Sequence, residues 1–188
     1  DLDDNDNIVT DRTLAYNYSI AEGNSTFYFV LRDNIGFYTA KDGELVDTGE
    51  KVGAEDVIFT YNRLRTPDSV PGHQVYDNFA CISDVASVTD LSELENAVDA
   101  VSGKSVKEVL EEGLPAPIAE LVSDKNSTDN ANGKYEVVKL TTSTPFPQIL
   151  NFLCDYCAGI TSKKQLEAVN TAELLADYDP TTDLRYGD

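Results

Sequence analysis

Methionine and tryptophan are absent from this 188-residue chain, histidine occurs once, and there are three cysteines. A chain without methionine is expected to be an excised piece of a longer translated product, so the lack of a leader segment carries no information about location. With a single imidazole, any mechanism built on a histidine base would have to use His73. That residue follows Pro71 and Gly72 with no recognisable nucleophile nearby, and an exposed loop histidine is expected. Cations are scarce too: 14 Lys and Arg stand against 34 Asp and Glu, a net charge of -20. So few scattered basic residues exclude the patch that nucleic acid requires, and an anionic membrane surface would repel the chain. No apolar run approaches the roughly 20 residues that cross a bilayer. Gly-rich phosphate loops, internal repeats and low-complexity tracts are also missing.

What is present suffices for a folded core: 41% of residues are hydrophobic and 9% aromatic, and the length suits one domain over residues 1–188. Asp1, Asp3 and Asn5 hold three ligand places of a calcium loop, but Asp6 and Arg12 stand where such a loop needs Gly and Glu. A solvated turn is expected there, a weak cation site being the alternative. Residues 12–21 and 25–32 read as strands joined by Glu22, Gly23 and Asn24. In the second strand Phe27, Phe29 and Leu31 alternate with Thr26, Tyr28 and Val30, apolar on both faces. A β-hairpin with helices on one face is the expectation. Residues 35–53 read as a loop with one short hairpin near Lys41 to Gly43.

The best-defined helix lies in residues 52–64, VGAEDVIFTYNRL, with Val57, Ile58, Tyr61 and Leu64 on one stripe. Glu55 and Asp56 complement its N-terminus, Arg63 and Arg65 its C-terminus, and Pro67 stops it. Strands are predicted at 82–89 and 135–142. Helices are predicted after Ser105, with Val106, Val109 and Leu110 as its stripe and Gly113 as its end, and around Ile118, Leu121 and Val122. Residues 123–133 have the composition of an exposed loop. A helix at 146–154 and another capped by Ser162 and running to Ala176 complete the pattern.

Cys154 and Cys157 form a CxxC. Redox work of the thioredoxin type needs such a pair at a helix start, whereas this one falls at a helix end with Asp155 between the thiols. A zinc site would need two more ligands, and only Cys81 and His73 are on hand. Buried or structurally paired cysteines are expected, and a bond from Cys81 to one of the pair would suit an oxidising exterior. Glu111 and Glu112 would act as an acid and base pair only if they converged in a cleft. Asn17, Asn24 and Asn126 begin glycosylation sequons. No catalytic constellation, cofactor site or metal set emerges, and the chain is expected not to be an enzyme.

Residues 26–32, 35–37, 42–44 and above all AEDVIFTYNRL at 54–64, with TPFPQILNFL and AGITSKK over 144–164, resemble the bacterial extracellular solute-binding proteins of family 5, receptors of ABC importers. The resemblance implies an α+β fold, a mainly antiparallel sheet covered by helices, matching the extra subdomain of the first lobe of a periplasmic-binding-protein-like fold. It also implies that the strand at 82–89 pairs directly with 135–142, so residues 91–133 read as a helical insertion lying on the outside of the sheet. By the same resemblance the protein would be a monomeric lipoprotein on the extracellular face or in the periplasm. It would bind an oligopeptide or dipeptide and deliver it to importer permease subunits. Ligand would be held between lobes mostly outside this stretch, and no position here matches a family ligand motif. The readings from another class are a small thiol oxidoreductase using Cys154 and Cys157, and a surface interaction module using residues 91–133.

Overall fold

Strands that are apolar on both faces have to be covered on both faces, and that condition shapes the fold. The computed structural model describes residues 8–11, 13–66, 79–154 and 158–169. His73, Cys157, Asp155 and the acidic stretch at residues 1–6 lie outside them. β1 (Ala15–Ile20) and β2 (Thr26–Leu31) form an antiparallel hairpin whose turn puts Gly23 at φ 90° and Asn24 at φ 55°. β8 (Val137–Thr142) pairs with β2, and β5 (Ile82–Val88) with β8, both antiparallel, giving a four-stranded sheet of order β1-β2-β8-β5. The architecture is α+β with a mainly antiparallel sheet, and residues 91–133 do sit between two directly paired strands.

Phe27 and Leu31 of β2 face one core with Val85, Val138 and Leu140, closed by α1 (Ala54–Arg65) through Val57, Tyr61 and Leu64. α4 (Ile149–Phe152) adds Ile149 and Leu150 to that core. Tyr28 and Val30, on the opposite side of β2, face a second core with Val88, Leu94, Val106 and Leu110. Those residues come from β5, α2 (Leu91–Asn96) and α3 (Val106–Leu110). Helices therefore cover both faces: α1 and α4 the one expected for the hairpin, and the insertion the other, on the outside of the sheet as expected for it. The insertion supplies the second cover, which is why β2 needs no polar side.

Caps set the inserted helices. Asp90 accepts the Ser92 N–H at 2.9 Å, and Ser105 and Glu108 bond reciprocally across the first turn of α3. The helix expected around Ile118 does not form. Two prolines precede it, and the N–H groups of Ala119 and Glu120 both go to the Gly133 carbonyl instead. A short parallel pairing of β6 (Glu120–Leu121) with β7 (Lys134–Tyr135) results.

Residues 35–53 likewise hold more than a loop. β3 (Gly36–Lys41) and β4 (Glu44–Lys51) form a separate antiparallel hairpin. Its turn residues Asp42 and Gly43 both have positive φ, at 53° and 84°, the backbone that matches the twist of flanking strands. α4 spans only Ile149–Phe152, shorter than residues 146–154. The Phe146 N–H is pinned to the Asn24 carbonyl at 2.9 Å. α5 (Lys163–Val169) starts where expected, with Ser162 Oγ accepting the Gln165 N–H at 3.1 Å, and residues beyond 169 lie outside those described. Among the described residues no helix is long and apolar enough to cross a membrane.

Candidate functional site

The N-terminus of α1 is a meeting point of five chain segments, and Asp56 is its hub. Fully buried, Asp56 accepts the Gly53 N–H at 3.0 Å, which caps the helix, and the Lys125 ammonium at 3.0 Å on the same oxygen. Its other oxygen accepts the Lys163 backbone N–H at 3.0 Å, fastening the start of α5. Glu50, at the end of β4, takes a second proton of Lys125 at 3.1 Å and the Ser162 hydroxyl at 3.1 and 3.2 Å. Glu55 takes the third at 3.2 Å. Glu136, between β7 and β8, accepts the Ala54 N–H at 3.0 Å.

Burial by itself would push the Lys125 ammonium down, but the bonds to Asp56, Glu50 and Glu55 hold it above its ordinary range. Burial pushes the Glu136 carboxyl up to about 7, with Asp56 and Glu55 adding to the rise against the pull of Ala54 N–H and Lys125. Gly53 has an extended backbone that any residue could adopt. Glycine is required there because a Cβ would lie 2.5 Å from Lys125 Cβ and 2.8 Å from Glu136 Oε2. Farther along α1, Thr60 Oγ1 accepts the Thr161 N–H at 3.1 Å and the Tyr61 hydroxyl donates to the Ala158 carbonyl at 3.3 Å. The joint is structural: Gly53, Ala54, Lys125, Ser162 and Lys163 each donate to a carboxylate of this chain.

Beside this joint an apolar cavity of about 260 Å³ opens between the sheet, α1 and α4. Tyr18, Phe29 and Val138 form its floor, Tyr61 one wall, and Leu153 and Cys154 another. Its polar groups are few: burial, with Cys154 and Asp99 adding to it, raises the Tyr18 phenol. Volume and lining suit a small apolar group, with little to orient a charged one.

The residues singled out from sequence are not brought together. Cys154 follows α4, with its N–H on the Asn151 carbonyl and its thiol donating to the Leu150 carbonyl at 3.3 Å. Cys154 thus lies past the end of a helix and not at the start of one. Cys81 precedes β5, its thiol pushed up by burial against a backbone hydrogen bond. Glu111 accepts the Ile118 N–H at 2.9 Å while Glu112 pairs with Lys104 at 2.8 Å, so the two carboxylates serve separate contacts. Asn17 donates its amide to the Val109 carbonyl at 2.7 Å, whereas Asn24 and Asn126 are exposed. Among the described residues no group of three or more His, Cys, Asp or Glu could hold a metal ion.

Sequence reasoning missed Lys125, Glu50 and Glu136. Lys125 sits in a segment with the composition of a solvated loop, which conceals its role. Glu136 did leave a signal: a charge flanked by Tyr135 on one side and by Val137 and Val138 on the other. No protein-family model matches the chain, and no curated protein matches it.

Proposed function

We propose that this chain is part of an extracellular or periplasmic solute-binding receptor of the family 5 type, a non-catalytic carrier that hands an oligopeptide or dipeptide to an ABC importer. The observation that supports the reading is the contact between the two segments that carry the resemblance. Asp56 of AEDV holds the Lys163 N–H of TSKK, and Thr60 and Tyr61 continue the contact to Thr161 and Ala158. Stretches about a hundred residues apart thus form one structural unit, as segments of a shared ancestral subdomain should. On this reading the motifs build a rigid support, and ligand is gripped by lobes that close on it.

The reading is tested by uptake. Cells lacking the gene are expected to lose import of labelled di- to pentapeptides and to regain it on complementation. Unchanged uptake across that panel would overturn it. The thiol reading has no such support, since Cys154 caps no helix start.

A further inference from the structure

Oε1 of Glu136 is buried and has no hydrogen-bond partner, in a residue only 2% exposed. β2 meets it with only the Leu31 N–H on its carbonyl, while the rest of the joint is charged. β4 contributes Glu50, α1 contributes Glu55 and Asp56, residues 123–128 contribute Lys125, and α5 contributes Lys163. Five carboxylates, Glu136 and Glu167 included, thus stand against two ammonium groups. An ammonium has three N–H donors, and those of Lys125 are committed to Glu50, Glu55 and Asp56 at 3.1, 3.2 and 3.0 Å. Lys163 reaches Glu55 at 3.8 Å and Glu167 at 3.5 Å, and the Ser162 hydroxyl is spent on Glu50. Lys125 and Ser162 therefore turn their donors to other carboxylates, Lys163 reaches toward Glu55 and Glu167, and Glu136 Oε1 is left without a hydrogen bond.

We propose that Glu136 is a proton-operated latch on this joint. Uncharged, it lets the first turn of α1 close against residues 123–128 and the start of α5. Ionised, it adds a dry negative charge beside Asp56 with only the Ala54 N–H to answer it and none at Oε1, and the turn opens. The Ala54 N–H and the Lys125 charge favour the anion, but burial outweighs them and moves the proton equilibrium to about 7. A raised carboxyl makes the closed state bind the proton more tightly than the open one, so closure weakens as pH rises from the ordinary carboxylate range through 7. The latch belongs to this joint whatever solute the receptor carries.

Backbone amide hydrogen exchange, corrected for the intrinsic rate, tests it on the wild-type chain and Glu136→Gln at about pH 6 and 8. In the wild type the amides of Val57 and Lys163 are expected to open about tenfold more at the higher pH, with α3 amides unchanged. In Glu136→Gln that difference should vanish. An equal change at α3, or the same pH response in the variant, would overturn the latch. Carbon-13 titration of the Glu136 carboxyl in the wild type decides the matter if the variant fails to fold: a midpoint near 7 supports it, and one in the ordinary carboxylate range sinks it.

Discussion

Asp56 and Lys163 are 107 residues apart in the chain, yet the carboxylate of one accepts the backbone N–H of the other at 3.0 Å. The same carboxylate caps α1 and anchors Lys125, so a single side chain fixes the entry of two helices and the course of the segment between β6 and β7.

Asp56→Ala removes all three bonds and leaves Lys125 without its most buried partner. Breaking a buried pair together with a cap is expected to cost on the order of 3–5 kcal/mol, read from urea midpoints. A loss below about 1 kcal/mol, the range of an exposed pair, would show the hub role to be wrong.

Gly53→Ala is expected to destabilise by about 1–3 kcal/mol although its backbone suits any residue, because the new methyl meets Lys125 and Glu136. Gly36→Ala provides the control. The nearest atom to its Cβ would be the Glu50 carbonyl oxygen at an ordinary 3.5 Å, so a small effect is expected there.

Asp99 contributes to the acid limb. Burial raises its carboxyl, but the N–H groups of Ser102 and Val101 and the hydroxyls of Ser19 and Ser102 outweigh that and leave it below its ordinary 3.8. A depressed carboxyl contributes stability that is fully present above 3.8 and is lost as pH falls below it. Urea midpoints between about pH 5 and 2.5 should therefore fall less steeply in Asp99→Asn than in the wild type. Parallel curves would remove Asp99 from the account.

Calorimetric titration of this chain with peptides should give no measurable heat if ligand is gripped between closing lobes, because little of that grip lies in these residues. Micromolar binding to the chain alone would overturn the reading that the grip lies between lobes outside these residues.

A net charge of -20 makes self-repulsion a standing cost to the compact state, and salt screens it. The melting temperature should rise between about 0.05 and 1 M sodium chloride. A fall over that range would mean that the attractive clusters around Lys125 and Lys107 outweigh the repulsion.

Local chemistry alone determined much of this protein. The stripe of Val57, Tyr61 and Leu64, the Ser105 and Ser162 caps and the Gly23–Asn24 turn each depend on residues within a turn or two, so their outcome is written in adjacent positions. The α+β class follows from the same short-range signals. Tertiary structure decided the rest. Tyr28 and Val30 require a cover, but only the packed insertion identifies α2 and α3 as that cover. The periodicity of Ile118, Leu121 and Val122 suits a helix, yet the distant Gly133 carbonyl takes the N–H groups that a helix would use. The joint around Asp56 was the least legible, because Lys125 and Glu136 meet it from 69 and 80 residues away. A buried ion cluster is set by which charges the fold brings within a hydrogen bond of one another, a property that no window of sequence contains.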